Sequence, residues 1–324
     1  MKTTKNLLLF FIVFTIIGCS KDNIEPAENI ICSSAYSIIK NNDKLLLSGI
    51  VVTDNKFITK YWIDSLSVDS ITFINSFNNG IIYNVSNVPG NNLSRVTYVH
   101  RSLNGEKDIY NFDQGFVEND EKIFYYKNND IIRMDTSALG TITSVCIFND
   151  KPYFAGYFGK MYYNEGGGKS VSPKSPFFWD GNSMLIDLPL PNVLFPNFLF
   201  FRGISCIYVD EEDYYIGGLM DFPMYWKNTE VIKLNTLYGE VNQIIKSGSD
   251  VYAVGFYNKN NWNSTGHTAC YWKNGELFEL ADDAQASGIY IDGNDVYVSG
   301  SIGKVLSQYK ACYWKNGVRV DLPN

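Results

Sequence analysis

Two segments, Asp295-Val-Tyr-Val-Ser-Gly300 and Ala311-Cys-Tyr-Trp-Lys-Asn-Gly317, decide the fold because versions of both recur along the sequence. Counterparts of the first segment stand at 151–156, 213–218 and 250–255. Tryptophans equivalent to Trp314 recur at intervals of 42 to 47 residues, at Trp179, Trp226 and Trp272, and Trp62 marks an earlier copy. Tandem units of this length are typical of architectures in which each repeat packs on the next.

Each copy contains four short strand patterns separated by turn residues. In the last copy the predicted strands are 287–292, 295–301, 310–315 and 318–322. The turns contain Gly293 and the Asn316-Gly317 pair, which tolerate the positive φ angles of tight hairpins. Four strands in a unit of about 40–50 residues predict an all-β fold, a β-propeller of four-stranded antiparallel blades.

The number of blades depends on how the weaker copies are interpreted. Clear copies lie at about 35–71, 139–190, 200–236, 240–282 and 285–323. Residues 72–113 form a degenerate copy without the tryptophan, and 114–138 form a shortened one. We therefore predict seven blades, or six if 114–138 merges with its neighbour. Because every repeat buries a face on the next, residues 31–324 are predicted to be one domain.

The N-terminal residues have the pattern of a lipoprotein signal. Lys2 and Lys5 precede an apolar run at 7–17, which is too short to cross a bilayer and is typical of a signal peptide. The sequence before and including Cys19 resembles the lipobox of bacterial lipoproteins. This resemblance implies a signal peptide at 1–18, lipidation of Cys19 and a tether at 19–30. It also implies a partner in the outer membrane, whose lipid holds the acyl anchor.

The repeat and the tether together resemble Bacteroidetes-type lipoproteins with propeller repeats. Ser20-Lys21-Asp22-Asn23 resembles the export signal of surface lipoproteins in that group, which implies display on the cell surface. Asn23 stands where a second acidic residue is expected, so the periplasmic side of the outer membrane stays open as an alternative. The resemblance implies a fold and a location, and it brings no catalytic residue.

Composition excludes several classes of function. The formal net charge is −7 at pH 7, which argues against a nucleic-acid partner. The chain has 2 histidines, His100 and His267, which disfavours multi-histidine metal sites, and we predict neither a metal nor a cofactor. The recurring Asp and Asn residues are interpreted as turn residues. Of the cysteines, Cys270 and Cys312 are predicted to be free, whereas pairing of Cys146 with Cys206 is left open.

Insertions that break the repeat are the candidates for binding. They lie at 157–176, 189–202 and 256–268, and the topology of a blade places all of them on one face of the disc. Loop variation on a rigid scaffold is where binding generally resides. The candidate ligand-binding residues are Trp262, His267, Tyr162 and Tyr163, and the candidate partner contacts are Phe195 and Phe198.

Two classes of function fit this pattern. We favour a binding propeller that recognises a glycan or a protein partner through the inserted loops. The alternative is a hydrolase or lyase that acts on polysaccharide with paired carboxylates in the central funnel.

Overall fold

The computed structural model describes residues 30–41, 43–53, 56–68, 80–88, 91–101, 107–114, 124–128, 130–133, 140–163, 169–182, 185–189, 203–219, 222–260, 266–305 and 308–323. These residues fold into twenty-five β-strands, which confirms the predicted all-β class. Among them, no helix is long and apolar enough to span a membrane.

Five blades are four-stranded antiparallel sheets whose strands follow the order of the chain. Blade 1 contains β1 (Ile30–Asn41), β2 (Lys44–Thr53), β3 (Lys56–Ile63) and β4 (Leu66–Val68). Blade 2 contains β10 (Gly140–Phe148), β11 (Lys151–Tyr163), β12 (Lys169–Trp179) and β13 (Leu185–Asp187). Blade 3 contains β14 (Gly203–Val209), β15 (Tyr214–Leu219), β16 (Pro223–Lys227) and β17 (Glu230–Lys233). Blade 4 contains β18 (Gly239–Ser247), β19 (Asp250–Asn258), β20 (His267–Lys273) and β21 (Glu276–Asp282). Blade 5 contains β22 (Ala284–Asp292), β23 (Asp295–Ile302), β24 (Lys310–Lys315) and β25 (Val318–Asp321).

The described residues between blades 1 and 2 form a single five-stranded sheet. Its strands are β5 (Gly80–Val88), β6 (Asn91–Arg101), β7 (Lys107–Gln114), β8 (Phe124–Lys127) and β9 (Asp130–Arg133). The predictions of seven and of six four-stranded blades are therefore wrong, since the described residues form five. Seven is wrong because β8 pairs with β7 and joins the preceding sheet instead of starting a shortened blade of its own. Six is wrong because this merged sheet has five strands and is not a four-stranded blade.

Alternating strand directions give the disc two different faces. The turns between first and second strands and between third and fourth strands lie on one face, which we call the hairpin face. The connections between second and third strands and between successive blades lie on the other, which we call the inserted face. First strands of neighbouring blades contact one another, whereas the fourth strands are short and largely exposed. The first strand of each blade is therefore the one nearest the axis.

The repeated tryptophans pack each blade against the blade before it. Trp62, Trp226, Trp272 and Trp314 are all at most 1% exposed. Trp272 of blade 4, for example, lies in a cluster with Tyr215 and Tyr225 of blade 3. One large side chain per repeat fills each interface. The number of residues between successive tryptophans therefore equals the length of one blade and its connection.

The glycine that ends the first repeat segment is required by a β-bulge in the neighbouring strand. In blade 4 the register between β18 and β19 shifts between Val241 and Gln243. This bulge turns the carbonyl oxygen of Glu240 towards Gly255, where a β-carbon would stand 1.8 Å from that oxygen. The equivalent distances are 2.0 Å at Gly49 and 2.0 Å at Gly300. A side chain at this position is incompatible with the bulge.

The ring closes through contacts between blades 1 and 5, and no strand in the described part of the chain is shared between these two sheets. The indole nitrogen of Trp62 donates a hydrogen bond to the carbonyl of Pro323 at 2.8 Å. The backbone N–H of Ser33 donates to the carbonyl of Tyr309 at 2.8 Å. Lys40 of blade 1 and Asp292 of blade 5 form an ion pair at 2.5 Å. These contacts cross from the first blade to the last.

Candidate functional site

The recurring Asp, Lys and Asn residues build the turns of the hairpin face. In blade 4, Asn274 adopts a φ of 51° between the third and fourth strands. Its amide oxygen accepts a hydrogen bond from the backbone N–H of Val251 at 2.9 Å, and its amide nitrogen donates to Asp250 at 2.7 Å. Lys273 pairs with the same carboxylate at 2.8 Å and lowers its pKa. This arrangement locks the third-to-fourth turn onto the start of the second strand.

The same arrangement recurs in other sheets, which marks it as structural. It is formed by Asp213, Lys227 and Asn228 in blade 3, by Asp295, Lys315 and Asn316 in blade 5, and by Asp108, Lys127 and Asn128 in the five-stranded sheet. Within the described ranges, no group of three or more His, Cys, Asp or Glu residues is placed to hold a metal ion. The interpretation of these acidic residues as turn residues agrees with this geometry.

Four of the cysteines in the described part of the chain are free thiols. Cys206, Cys270 and Cys312 are buried, and Cys146 is half-buried. Burial raises the pKa of Cys146 to about 12 and also raises the pKa of Cys206. These thiols stay protonated at neutral pH and act as small core side chains.

The inserted face departs from the repeat in blade 2, where the insertion is an extended hairpin. Strands β11 and β12 continue beyond the length of their counterparts and stay paired as far as Tyr163 opposite Lys169. Tyr162 lies opposite Ser170 in the same ladder. Only the backbones of these two tyrosines are described, so their contact with a ligand stays a prediction.

Blade 4 carries a polar network on the inserted face that has no counterpart among the side chains described in the other blades. Lys259, which follows β19, lies 2.8 Å from a carboxylate oxygen of Glu279 and 2.9 Å from one of Asp282. The hydroxyl of Tyr257 donates a short hydrogen bond to Glu279. The hydroxyl of Thr268 donates to Asp282 at 2.8 Å. These five residues, which we call the lysine–carboxylate network, tie together the ends of β19, β20 and β21.

The hydrogen bonds of the lysine–carboxylate network shift the pKa values of its titratable groups. The Lys259 ammonium group lowers the pKa values of both Glu279 and Asp282. Burial, followed by the hydrogen bond to Glu279, raises the pKa of Tyr257 to about 12. Both carboxylates are therefore ionised at neutral pH, and they are suited to accept hydrogen bonds rather than to act as general acids.

His267 lies beneath this network rather than on the surface. The ring stacks on Phe256 with centroids 4.1 Å apart, and the side chain is 8% exposed. The amide nitrogen of Gln285 lies 2.8 Å from Nδ1. An amide nitrogen only donates, so the proton of the neutral ring is on Nε2. Burial lowers the pKa of His267 to about 4, which keeps the ring neutral. Its role as a ligand-binding residue stays a prediction.

Polar side chains of the first strands connect neighbouring blades around the axis. Ser205 of blade 3 donates to the carboxylate of Glu240 in blade 4 at 2.6 Å. Asn242 of blade 4 donates to the carbonyl of Ala286 in blade 5 at 2.7 Å. Both donors lie at the bulges of their strands. These hydrogen bonds join consecutive blades on the side nearest the axis.

Several candidates from the sequence lie outside the described residues. They are the lipidation site Cys19, the aromatic candidate Trp262, and the partner-contact candidates Phe195 and Phe198. The sequence analysis missed Tyr257, Lys259, Glu279 and Asp282. A signal was present at Tyr257, because the equivalent positions in the sequence repeat are Met220 and Ile302, which carry no hydroxyl group.

Comparisons with known proteins show distant propeller neighbours. No known family profile matches the chain, and no curated protein matches it. The acylaminoacyl peptidase of Pyrococcus horikoshii is similar at 10% identity with a TM-score of 0.39, over 90% of this chain and 52% of the peptidase. Trypanosoma rangeli sialidase is similar at 9% identity with a TM-score of 0.40, over 89% of this chain and 55% of the sialidase. The β-propeller domain of the Trilobed protease from Pyrococcus furiosus is similar at 11% identity with a TM-score of 0.40, over 91% of this chain and 97% of that domain.

The chain spans about half the length of the peptidase and of the sialidase. At these identities and TM-scores we infer neither an activity nor a ligand from these neighbours. The propeller assignment rests on the strand order within each blade and on the packing between blades.

Proposed function

We propose that this protein is a lipoprotein that is anchored in the outer membrane through Cys19, is displayed on the cell surface, and acts as a binding propeller for a glycan or a protein partner. The observation that carries the binding role is the difference between the two faces. The hairpin face repeats one Asp–Lys–Asn arrangement from blade to blade. The inserted face carries the extended hairpin of blade 2 and the lysine–carboxylate network of blade 4.

Binding fits the inserted face better than catalysis does. A polysaccharide hydrolase needs one carboxyl group with a raised pKa beside an ionised carboxylate. On the inserted face, hydrogen bonds from Lys259 lower the pKa values of both Glu279 and Asp282, so neither of these carboxyl groups is suited to be the general acid. Ionised carboxylates beside an aromatic hydroxyl are suited to recognising hydroxyl or amide groups.

Trp262 provides the test of binding. It departs from the register of the repeated tryptophans and stands among Asn258, Asn260, Asn261 and Asn263. We expect Trp262→Ala to weaken binding in a glycan array or pull-down by about thirtyfold, as for a hot-spot aromatic residue. The melting temperature should stay close to that of the wild type, because the Asn-rich sequence around Trp262 predicts a solvated loop, and a change at an exposed site is within about 0.5 kcal/mol.

Trp272→Ala is the matched control, because Trp272 is a packed repeat residue that is 1% exposed. This variant should lower stability strongly. If Trp262→Ala instead destabilises the fold and leaves the affinity unchanged, Trp262 is a packing residue and the binding role of this loop is wrong.

Lipidation is tested separately. A fatty-acid probe fed to growing cells should label the wild type and leave Cys19→Ala unlabelled, whereas equal labelling would refute the anchor. Protease added to intact cells should digest the wild type if it is displayed on the surface. Protection until lysis would place the protein on the periplasmic side.

A further inference from the structure

The direction of the first strand determines which face of the disc lies next to the tether. Strand β1 begins at Ile30, which is paired with Thr53 at the end of β2. The connection from β2 to β3 follows Thr53 directly and lies on the inserted face. The N–H of Ser33, near the start of β1, is bonded to Tyr309 in the corresponding connection of blade 5. The chain therefore enters the propeller on the inserted face.

The tether between the lipidated cysteine and this entry point is short. Residues 20–29 separate Cys19 from Ile30. Even fully extended, this segment reaches at most about 40 Å, because a chain spans no more than ~3.6 Å per residue. The disc itself is about 30 Å thick, as estimated from the nine residues of β18 at ~3.3 Å each. The hairpin face is thus farther than the inserted face from Ile30, where the tether joins the disc, by about the thickness of the disc.

We infer that the inserted face is turned towards the membrane and that its partner is a protein embedded in that membrane. This inference rests on the proposed lipidation of Cys19 and on the proposed binding role of the inserted face. A short tether on the binding face keeps that face close to the outer leaflet. An embedded protein gains from this restraint because the tether raises the effective concentration of the two surfaces.

The charges of this face favour a protein over the bilayer as the occupant. Glu279 and Asp282 present side chains that are 47% and 69% exposed, and Lys259 lowers the pKa values of both. The formal net charge of the whole chain is −7. Anionic lipid headgroups repel such a surface, whereas basic side chains of a protein complement it. We expect the partner to present Lys or Arg to Glu279 and Asp282.

Energy transfer to membrane lipids tests the orientation. A donor dye is attached through an unnatural amino acid at Lys304 on the inserted face or at Asn294 on the hairpin face, both exposed and both in blade 5. The full-length lipidated protein is reconstituted in vesicles of phosphatidylethanolamine and phosphatidylglycerol that contain an acceptor-labelled lipid. Transfer should be stronger from position 304. Equal transfer, or stronger transfer from position 294, would overturn the inferred orientation.

The Cys19→Ala variant keeps this result distinct from the proposed anchor. Both labelled versions of that variant should lose energy transfer together if the anchor is real. If transfer persists without Cys19, the anchor is wrong, whatever the difference between the two positions.

Photocrosslinking in intact cells tests the partner. A photoreactive amino acid at position 304 should yield an adduct with an integral membrane protein, and the same group at position 294 should not. Lengthening the tether by about twenty Gly and Ser residues should reduce the yield about fivefold, because effective concentration falls with tether length. An adduct with lipid, with a soluble protein or with glycan, or a yield independent of tether length, would overturn the inference.

Loss of the adduct in the double variant Glu279→Gln/Asp282→Asn would support the charge complementarity, and an unchanged yield would refute it.

Discussion

The carbonyl oxygen of Glu240 lies 1.8 Å from the point at which a β-carbon on Gly255 would stand. Gly255→Ala should therefore lower the free energy of unfolding by about 3 kcal/mol or more, because the new β-carbon meets a backbone oxygen beside the β18 bulge, which cannot turn aside as a flexible side chain can. Gly275→Ala is the control, since Gly275 has a positive φ of 86° but open space around it. The Gly275→Ala variant should lower the free energy of unfolding by about 1–2 kcal/mol, because alanine is strained at a left-handed φ. Urea unfolding of both variants measures the difference, and equal losses would contradict the bulge explanation.

Two equivalent tryptophans differ in one hydrogen bond. The indole nitrogen of Trp226 donates to the carbonyl of Pro189 at 2.7 Å. Among the described residues, the indole nitrogen of Trp272 is buried and has no partner. Trp226→Phe should destabilise the protein by about 1 kcal/mol more than Trp272→Phe, because it alone loses a hydrogen bond. Trp272→Ala should cost about 3–5 kcal/mol, since it removes a buried aromatic ring. Thermal unfolding followed by calorimetry compares all three.

Ser48 of blade 1 and Ser299 of blade 5 occupy equivalent positions, and we expect their replacement by alanine to change stability in different ways. The hydroxyls of Ser37 and Ser48 lie 2.6 Å apart in blade 1. In blade 5 the equivalent residues are Gly288 and Ser299, and the hydroxyl of Ser299 has no partner within the described part of the chain. Ser48→Ala should destabilise the fold by about 1–3 kcal/mol because it leaves Ser37 unpaired, whereas Ser299→Ala should be neutral or stabilising. A loss at Ser299 as large as that at Ser48 would show that its hydroxyl is satisfied.

Acid should weaken the fold through His267. Burial lowers its pKa from the ordinary value of 6.5 to about 4, so the unfolded chain binds a proton at a higher pH than the folded protein does. The contribution of the neutral His267 ring to the free energy of unfolding is fully present above pH 6.5. It is lost as the pH falls towards 4, by roughly 3 kcal/mol in total. In His267→Gln this part of the pH dependence should disappear. Unfolding curves across this pH range for both proteins measure it, and parallel profiles would contradict the assignment.

Repeated residues made most of the fold predictable. The predicted third strand of the last copy, 310–315, coincides with β24 (Lys310–Lys315), because its tryptophan and turn residues fix both ends. The prediction failed between residues 72 and 138, where the tryptophan is missing. Asp108, Lys127 and Asn128 did carry a signal, since they form the same turn arrangement as Asp250, Lys273 and Asn274. That likeness places β7, β8 and β9 in one sheet.

The candidate site was less predictable than the fold. The lysine–carboxylate network joins Lys259 to Glu279 and Asp282, which are twenty and twenty-three residues away. Sequence gives no register between β19 and β21, so it could not bring these side chains together. His267 was predicted as a contact residue because it lies in an insertion. The structure instead pairs it opposite Asn258 at the first position of β20, where the strand buries it.

Closure of the ring through Trp62 and Pro323 makes folding depend on the completeness of the chain. The N-terminal blade is synthesised first, yet its flank stays uncovered until residues 309–323 are available to pack on it. A chain truncated before that point leaves the apolar flank of blade 1, including Trp62 and Leu47, open to solvent. The final blade therefore serves as a check that synthesis of the chain is complete.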